Sequence, residues 1–476
     1  MPVRLFQKSV PLESDLDTPI GLFLRLAGEG KGILLESAEV DGRWGKYSII
    51  ATDFVLTLSC REGKLAVNVS DPALAHMVNF AEKPFIEGLR SCLAALQIEA
   101  GGDNLPPITR ALYGYLGYGT AGMFEPKLAA SLSPEDAEAS LVLPGTLIIF
   151  DHVYNKINRV ELFSGNGGPL SPVRPVSERD TVLRSPHRSS NLDDKKSYMA
   201  AVSRVRERLH QGEGIQVVLS TPFEAPLAES PFGVYRRLRQ VNPSPYMFYM
   251  RFDDGVLLGS SPEVMVTCDA GRLRLCPIAG TRPRSTDRAR DVLFGDELLE
   301  DPKEKAEHVM LVDLGRNDLG RIAEPGSVTL ERFMEVERFS HVMHLTSRIR
   351  AELDDGLDAL DVLAAVFPAG TVSGAPKVRA MEIIAEEEGA PRGPYAGAIG
   401  WMSLDKDACS LDFGITIRSM WIRDGRIRWQ AGAGIVYDSD PEKEWLECLA
   451  KAEVIRKVVS QNSPVSEEVR HVSSCR

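Results

Sequence analysis

The sequence lacks the features that mark membrane, secreted and nucleic-acid-binding proteins. No uninterrupted apolar run approaches the roughly 18 residues of a membrane helix, and residues 1–10 lack the apolar core of a signal peptide. No lysine- or arginine-rich run is present, and the formal net charge of -12 disfavours a nucleic-acid surface. We therefore expect a cytoplasmic protein that binds neither a membrane nor nucleic acid.

Cysteine is scarce, and its spacing carries no motif. The seven cysteines include no CxxC pair, which disfavours a zinc knuckle, and their odd number disfavours a disulfide framework. Reduced thiols in a cytosol fit this usage best. The sequence also lacks a P-loop and a Gly-x-Cys-x-Gly nucleophile elbow followed by a His-x-Glu pair. We therefore expect no domain on this chain that hydrolyses an amide or a nucleoside triphosphate.

What is present is the size and composition of a large globular protein. The 476 residues, 43% hydrophobic and 26% charged, can bury an extensive core in one interwoven unit or in two or three domains. The stretch 164–192 is rich in Gly, Pro, Ser and Arg, which is equally typical of a linker and of a long surface loop. We expect four parts: an N-terminal region over 1–165, a linker or long loop over 166–193, a second domain over 194–462 and a polar tail over 463–476.

Antiparallel hairpins dominate the last part of the chain. The segments 395–403, 408–422 and 426–437 alternate or run apolar, and each predicts a strand. The middle strand should have two different faces. One face would carry Leu411, Phe413, Ile415 and Ile417, and the other Asp412, Gly414, Thr416 and Arg418. Sustained hairpins with helices between them favour an α+β fold over a doubly wound parallel sheet.

Two segments far apart in the chain share the same start. One opens with Asp301-Pro302 and the other with Asp440-Pro441. Aspartate is a good N-cap and proline suits the first helical position, so each segment predicts the beginning of a helix.

Each of these helices carries a pair of glutamates three residues apart. Glu304 and Glu307 lie on the first helix, and Glu444 and Glu447 lie on the second. This spacing puts both members of a pair on one helical face. The pairs could simply be solvated. If the two faces meet, they could bind Mg²⁺, which prefers carboxylate oxygens, waters and an anionic substrate.

Three further positions could take part in chemistry. Thr281 follows Ala279-Gly280 at the end of a predicted strand, where glycine allows a ligand to approach the backbone, although a tight turn would have the same pattern. Glu263 lies in a Ser-Pro-Glu turn and could be a partly desolvated acid with a raised pKa, or an exposed loop residue. His344 could be a base or a core histidine.

Cations and glycines in the last segments suggest an anionic ligand. Arg418 on an otherwise buried strand needs an anion, either a side-chain carboxylate or one from a substrate. Lys451 lies one turn beyond Glu447 and could pair with it or with a ligand. The run Gln430 to Gly434 has alternating glycines, which would leave room for a flat ligand, but no helix follows it as in a dinucleotide-binding loop.

Taken together, these residues resemble the chorismate-utilising enzyme family. The resemblance is strong from about Tyr198 to Val458 and weaker over residues 20–60. The segments that carry it are Ser261-Pro262-Glu263, Pro277 to Arg284, Glu307-His308 through Arg316-Asn317-Asp318, His344, Thr371 to Lys377, Tyr395 to Gly400, and Gly432 to Ile435. The family's order of these segments makes the resemblance specific. It implies an α+β fold with two packed, largely antiparallel β-sheets, helices outside, and interwoven N- and C-terminal parts.

The resemblance also implies a role for each matched residue. Glu307 and Glu447 would bind a Mg²⁺ cofactor, with Glu304 and Glu444 supporting them, and the metal would hold the ring carboxylate of chorismate. Glu263 would be the general acid that protonates the departing 4-hydroxyl group. His344 would lie near the enolpyruvyl side and, with Thr281, complete the catalytic set. The positions that would contact chorismate are Gly280, Thr281, Tyr395, Arg418, Gly432, Ala433, Gly434 and Lys451.

Two positions discriminate between reactions within the family. Members that add water carry a lysine base where this chain has Gln216, and glutamine cannot abstract a proton at neutral pH. Ammonia needs no such activation. Members that make aminodeoxychorismate often carry lysine in the place of Ala279. The resemblance therefore implies amination to 2-amino-2-deoxyisochorismate and loss of pyruvate to give anthranilate, the first step of tryptophan biosynthesis. Aminodeoxychorismate formation, in the folate pathway, is the alternative.

The front half resembles the tryptophan feedback site of these enzymes. The matching stretches are Leu34 to Ser37 and Asn242 to Met247. The resemblance places the inhibitor near Glu36, Ser37, Pro245, Tyr246 and Met247. Because no glutaminase is carried on this chain, it also implies that a separate glutamine amidotransferase subunit supplies ammonia, in a hetero-oligomer such as a heterotetramer.

Overall fold

The structure is a computed structural model that describes residues 3–12, 17–37, 46–99, 105–164, 168–170, 195–339, 342–406 and 408–460. Most of the expected linker over 166–193 lies outside these residues, as does the whole of the expected tail over 463–476. The division of the chain into four parts therefore stays a prediction.

Strands make up the centre of the molecule. They are β1 (Val3–Pro11), β2 (Gly32–Glu36), β3 (Tyr47–Arg61), β4 (Lys64–Val69), β5 (Leu96–Glu99), β6 (Ala111–Leu116), β7 (Ala139–Asp151), β8 (Lys156–Ser164), β9 (Gln216–Pro226), β10 (Tyr246–Arg251), β11 (Val256–Ser261), β12 (Val264–Asp269), β13 (Arg272–Leu275), β14 (Ile278–Pro283), β15 (Thr329–Arg338), β16 (Val342–Glu352), β17 (Gly374–Ala375), β18 (Ala398–Ser403), β19 (Leu411–Ile415), β20 (Ser419–Arg423) and β21 (Arg426–Ile435).

Helices cover the strands. They are α1 (Pro19–Leu26), α2 (Phe85–Ala95), α3 (Ala121–Phe124), α4 (Lys195–His210), α5 (Pro231–Val241), α6 (Arg288–Glu300), α7 (Pro302–Gly320), α8 (Ala359–Val366), α9 (Lys377–Glu388) and α10 (Pro441–Ser460). Across the described ranges, no helix is long and apolar enough to cross a membrane.

The strands are hydrogen-bonded into one continuous, largely antiparallel array, whose two packed sheets are joined by the pairing of the long strands β3 and β7. From β3 the first sheet continues through β2, β10, β11, β20, β21 and β9. From β7 the second continues through β6, β18, β19, β12, β13 and β16. Buried side chains of both sheets, including Ile33, Phe248, Tyr113 and Ile399, pack in one apolar cluster between them. The expected α+β fold with two packed sheets is thus confirmed.

Early and late parts of the chain alternate within each sheet. Strand β2 pairs with β10, with Leu34 opposite Tyr249. Strand β6 pairs with β18, with Gly114 opposite Gly400. Because neither sheet is complete without strands from both ends of the chain, the expected interweaving of the N- and C-terminal parts is also confirmed.

Two segments of the chain, from β11 to β12 and from β19 to β20, pass next to each other from one sheet to the other. Strand β11 pairs with β20 in the first sheet, and the next strand, β12, pairs with β19 in the second. The chain therefore turns at Glu263 and again at residues 416–418. The amide of Ile415 donates to the carbonyl of Glu263 at 3.0 Å, and the amide of Ser260 donates to the carbonyl of Arg418 at 3.1 Å. These bonds hold the two turns together, and we call this region the sheet corner.

The prediction of one continuous strand over 408–422 is wrong at the sheet corner. The strand ends at Ile415 and resumes at Ser419, and Arg418 has a positive φ of 48°. The alternation of faces predicted for Leu411 to Arg418 therefore fails at its end. Its physical cause is tertiary, because the chain has to leave one sheet and join the other at this point.

The two predicted helix starts are confirmed. The side chain of Asp301 accepts the amides of Lys303 and Glu304 at 3.0 and 3.3 Å, and α7 begins at Pro302. The side chain of Asp440 accepts the amide of Lys443 at 3.0 Å, and α10 begins at Pro441. Helix α7 packs against β14 and α10 against β21, so both acidic helices lie beside strands that carry predicted ligand positions.

Candidate active site

The structure brings carboxylates of both acidic helices close to one another. Burial raises the pKa of Glu307, and the nearby charges of Glu304 and, to a smaller extent, Glu447 raise it further. Burial likewise raises the pKa of Glu444, and Glu447 acts in the same direction. The predicted meeting of the two acidic faces therefore occurs in the fold, at the cost of repulsion between like charges.

Cations balance part of the negative charge of Glu304, Glu307, Glu444 and Glu447, which we call the acidic cluster. Nζ of Lys451 lies 2.8 Å from Oε1 of Glu447 and donates to the carbonyl of Gly432 at 2.9 Å. Arg282 donates to Glu304 at 3.2 Å and to Asp301 at 2.9 Å. Glu307 instead accepts a hydrogen bond from the neutral amide of Gln216 at 3.4 Å. Glu307 thus has no directly bonded cation among the described contacts, unlike Glu304 and Glu447.

The chemistry of these side chains fits Mg²⁺, although they do not form a closed cage. Within the residues that the structure covers, no three His, Cys, Asp or Glu side chains converge closely enough to enclose a metal ion. Protein-bound Mg²⁺ usually takes one or two carboxylates and completes its octahedron with waters and substrate oxygens. Glu307 and Glu447 would offer two hard oxygen ligands from different helices, and a divalent cation between them would offset the burial and the neighbouring charges that raise the pKa of Glu307.

A second group of predicted residues lies around Gly280 and Thr281. The sequence predicted that a strand ends here, but β14 continues to Pro283 and these two residues lie at a register shift between Ala279 and Arg282. Nδ1 of His344 lies 2.7 Å from the carbonyl of Gly280 and 3.2 Å from Oγ1 of Thr281. Since a carbonyl can only accept, Nδ1 must carry the proton in the first contact, which leaves Nε2 as an acceptor. Burial lowers the pKa of His344, so the imidazole is neutral near pH 7.

Glycine is required at position 280 for two reasons. Its φ is +62°, a conformation that side chains disfavour. A Cβ here would also lie 2.8 Å from the side chain of Leu298 and 2.9 Å from Oε2 of Glu304. The backbone of β14 is therefore in direct contact with the acidic cluster.

Glu263 and Arg418 occupy the sheet corner. Burial raises the pKa of Glu263 to about 7, against the opposing effects of Thr371, Lys451 and Arg418. Burial lowers the pKa of Arg418, and Glu263 opposes that shift. A carboxyl group with a pKa near neutrality can be protonated and still donate its proton, which suits a general acid.

Thr371 is a site residue that sequence reasoning did not single out. Its hydroxyl is buried and has no hydrogen bond of ordinary geometry, yet it lies close enough to Glu263 to lower the pKa of that carboxyl. The signal was available, because Thr371 opens the Thr-Val-Ser-Gly segment that carries part of the family resemblance. Its role could not be read from the segment alone, since Glu263 lies far away in sequence.

The glycine strand β21 differs from the expectation of an open surface. A Cβ on Gly432 would lie 3.1 Å from the hydroxyl of Tyr395, and one on Gly434 would lie 2.5 Å from Nε2 of Gln216. The space above both glycines is thus taken by neighbouring side chains rather than left empty. The glycines, with Ala433 between them, bring Tyr395 and Gln216 against the backbone next to Lys451.

The residues of the expected feedback site lie at the end of β2, with Ser37 directly after it, and at the start of β10, with Pro245 directly before it. Glu36 is opposite Met247, and its buried carboxylate accepts bonds from Tyr235 at 2.8 Å and from Arg239 at 3.1 Å. The hydroxyl of Ser37 is buried and makes no hydrogen bond to any residue within the described ranges. A ligand here would therefore find Ser37 free, whereas Glu36 is already bonded.

Tyr246 connects this region to the sheet corner. Its hydroxyl donates to Asp412 at 2.5 Å, and a Cβ on Gly414 would lie 2.7 Å from its ring. Burial raises the pKa of Asp412 to about 6. Pro245, which precedes Tyr246, lines one cleft with Pro262 of the corner turn. The expected regulatory residues are thus adjacent to the strands that carry Glu263 and Arg418.

Comparison with known proteins identifies many relatives. A sequence model of the family described as chorismate binding enzyme matches residues 56–457. Anthranilate synthase component 1 from Aquifex aeolicus (strain VF5) is 40% identical over 475 residues, which cover 95% of this chain and 94% of that protein. The protein of the same name from Pseudomonas aeruginosa is 34% identical over 469 residues, covering 94% of each.

Solved structures agree with this relationship. The crystal structure of anthranilate synthase component I from Streptococcus pneumoniae TIGR4 superimposes with a TM-score of 0.68 at 31% identity, covering 94% of this chain and 98% of that one. The menaquinone-specific isochorismate synthase of Escherichia coli gives a TM-score of 0.70 at 20% identity, covering 96% and 95% of the two chains, and supports the fold alone.

Proposed function

Since the chain belongs to the chorismate binding enzyme family, we propose that it converts chorismate and ammonia to anthranilate and pyruvate through 2-amino-2-deoxyisochorismate. The observation that carries this choice of reaction is the buried neutral amide of Gln216, which donates to Glu307 at the edge of the acidic cluster. A neutral amide cannot activate water, whereas ammonia is itself the nucleophile. The relatives named anthranilate synthase component 1 support the same reaction.

The chain's own residues would bind and orient chorismate through its two carboxylates. Arg418 at the sheet corner and Lys451 on α10 are the cations available to receive them. The backbone at Gly280, Gly432, Ala433 and Gly434 and the hydroxyls of Thr281 and Tyr395 would enclose the ring. Mg²⁺ would be held by Glu307 and Glu447, with Glu304 and Glu444 beside them, and would neutralise a carboxylate of the substrate.

Proton transfer at the ring is assigned to Glu263. Ammonia forms a bond to the ring, and the 4-hydroxyl group departs as water once Glu263 has given it a proton. The raised pKa of Glu263 keeps a large fraction of this group protonated near neutral pH. The excess proton on the new amine is then available to restore the acid.

Loss of pyruvate would involve the histidine next to β14. With its proton on Nδ1 held by the carbonyl of Gly280, His344 presents Nε2 as an acceptor for the ring proton removed during aromatisation. The carbon–oxygen bond between the ring and the enolpyruvyl group breaks as that proton leaves. The released enolate becomes pyruvate by taking up a proton on its methylene carbon, which the protonated His344 can supply. Thr281, 3.2 Å from the imidazole, would fix the orientation of the ring.

Regulation and partners complete the proposal. A separate glutamine amidotransferase subunit would supply ammonia in a cytoplasmic hetero-oligomer such as a heterotetramer. The reaction would be the first step of tryptophan biosynthesis. Tryptophan would inhibit by binding near Glu36, Ser37, Pro245, Tyr246 and Met247, in the N-terminal region over 1–165 and its contacts with the chorismate-binding domain over 194–462. The adjacency of Tyr246 to the corner strands supports such coupling.

The test is the fluorescence of purified protein incubated with chorismate, Mg²⁺ and ammonium, with and without tryptophan. An anthranilate signal that requires Mg²⁺ and falls with tryptophan is the expected result. Chorismate consumed without that signal, giving a non-aromatic amino product, would move the protein to the aminodeoxychorismate reaction. No consumption at all would reject the proposal.

A further inference from the structure

Arg392 is the most completely bonded buried cation in the described part of the chain. Its side chain is 1% exposed and pairs with Glu388, with Nε and Nη2 donating to the two carboxylate oxygens at 2.8 and 2.6 Å. Nη1 donates to the carbonyl of Val372 at 2.7 Å, and Nη2 donates also to the carbonyl of Val218 at 2.6 Å. The guanidinium of Arg392 thus connects α9, through Glu388, with β9, through Val218, and with the loop that carries Thr371 and Val372.

Glu388 extends the same network to the glycine strand. Its Oε1 accepts the amide and the hydroxyl of Ser220 at 2.7 and 2.8 Å. Ser220 lies opposite Gly432 in the pairing of β9 with β21, and Gln430 donates to the Ser220 hydroxyl at 2.8 Å. The carboxylate that holds Arg392 therefore also fixes the strand on which Gly432 lies.

Two tyrosine rings lie close to the guanidinium of Arg392. Its carbon is 4.5 Å from the ring centroid of Tyr118 and 5.8 Å from that of Tyr395. The hydroxyl end of Tyr395 points to the neighbourhood of Gly432, where a Cβ would come within 3.1 Å of it. Arg392 thus lies close to the ring of a residue whose hydroxyl is next to Gly432, a proposed chorismate contact.

We propose that Arg392 is a positioning residue for the reaction, acting through Tyr395 and through the carbonyl of Val372, which follows Thr371. It touches no substrate. Its guanidinium restricts the position of the Tyr395 ring. Its bond to the carbonyl of Val372 holds the loop that carries the Thr371 hydroxyl close to Glu263. This inference rests on the proposed function, because it assumes that chorismate binds where Tyr395 and Glu263 meet.

The geometry requires arginine rather than a general buried cation. The planar guanidinium reaches one carboxylate and two carbonyls while its flat face contacts the rings. A lysine could keep the ion pair with Glu388, which avoids leaving a buried charge unpaired. It could not also bond to Val218 and Val372 in the same plane. Arg392→Lys should therefore preserve the fold and loosen Tyr395.

The test is a double-mutant cycle between Arg392→Lys and Tyr395→Phe. The rate is that of anthranilate formation from chorismate and ammonium with Mg²⁺. Because Arg392 acts through Tyr395 as well as through the loop that carries Thr371, R392K should lower kcat/KM for chorismate about tenfold in the wild-type background and only about threefold in the Y395F background, the remainder being the contribution of that loop. The matched control is Arg110→Lys, which alters a comparable arginine pair with Asp405 away from the site. That control should leave kcat/KM unchanged.

Two outcomes would overturn the inference. One is an R392K effect of equal size in both backgrounds, which would mean that the residue does not act through Tyr395. The other is an R392K effect no larger than that of R110K. If R392K fails to fold, Glu388→Gln weakens the same anchor while leaving the arginine in place, and the cycle is repeated with it. A wild-type protein that makes no anthranilate would reject the proposed function itself, which is distinguishable from an active protein whose mutational effects multiply.

Discussion

The side-chain amide of Gln216 donates to Oε1 of Glu307 at 3.4 Å. Gln216 is 3% exposed, so this neutral amide is a fixed part of the acidic cluster. A lysine at this position would place a positive charge against the same carboxylate and compete with a metal for it. The contact therefore connects two features that the sequence presents separately, the proposed use of ammonia as nucleophile and the carboxylates proposed to bind Mg²⁺.

Removing one proposed metal ligand should abolish turnover without unfolding the protein. Glu447→Gln keeps the shape of the side chain but removes its charge, so we expect anthranilate formation to fall by about two orders of magnitude. Tryptophan binding, measured by calorimetry, should persist. The matched control is Glu442→Gln on the same helix, which loses only an exposed pair with Lys195. Full Mg²⁺-dependent activity in E447Q would show that the metal assignment is wrong.

The pH dependence of the reaction should report Glu263. Its pKa of about 7 in the folded protein means that the proton donor is lost as the pH rises through that value. We therefore expect kcat/KM for chorismate, measured with the concentration of free ammonia held constant, to decline above about pH 7. A profile that stays flat to pH 9 would contradict the assignment of Glu263 as the acid.

The same carboxyl should influence stability with a defined sign. Its folded pKa is raised above the ordinary value of 4.5, so its contribution to stability is fully present below that value and is lost as the pH rises through about 7. In Glu263→Gln this loss cannot occur. The melting temperature of E263Q relative to wild type should therefore increase between pH 5 and pH 8, as measured by differential scanning calorimetry. A constant difference would mean that Glu263 does not titrate in this range.

Ser37 offers a test of the feedback site that leaves the catalytic residues untouched. Because its buried hydroxyl has no hydrogen-bond partner in the part of the chain that the structure describes, Ser37→Ala should not lower the stability of the free protein. If tryptophan bonds to this hydroxyl, the concentration for half inhibition should rise roughly three- to tenfold. The control is Ser48→Ala, whose hydroxyl is bonded to His152 at 2.7 Å. That variant should lose about 1 kcal/mol of stability and keep its inhibition. Equal inhibition of S37A and wild type would exclude Ser37 as a contact.

The buried ion pair between Lys377 and Asp318 should stabilise the fold as a pair only. Nζ of Lys377 on α9 lies 2.7 Å from Asp318 on α7, so the pair connects these two helices. The same Nζ lies 3.0 Å from the carbonyl of Val366. Lys377→Ala leaves the buried carboxylate unpaired and should lower the free energy of unfolding by about 3–5 kcal/mol. The double variant Lys377→Met with Asp318→Leu should recover most of that loss in urea denaturation. Recovery of none would indicate that packing, not charge, is responsible.

Local patterns were the part of the fold that the sequence predicted well. The starts of α7 and α10 follow from Asp301-Pro302 and Asp440-Pro441, because capping depends on residues within one turn. The break before Arg418 was missed because it depends on which sheet each half of the segment joins. Nothing within 408–422 signals that change, since both halves are apolar.

The candidate site was predicted unevenly for the same reason. Residues within family segments, such as Glu263 and His344, could be named as candidates from the sequence because each segment has a characteristic residue pattern. Arg392 was missed because two of its partners are backbone carbonyls, at Val218 and Val372, which every sequence possesses. The bonding of Glu36 by Tyr235 and Arg239 was missed because those residues lie on a helix distant in sequence.

The interweaving of the two chain halves has a consequence for synthesis on the ribosome. Strand β2 ends at Glu36 but its partner β10 begins only at Tyr246, so its edge stays unpaired while the intervening residues are translated. At typical elongation rates this exposure lasts on the order of ten seconds or more. An open, apolar strand edge favours association with other chains during that time. The nascent protein is thus expected to depend on chaperone protection until the strands of its second half emerge.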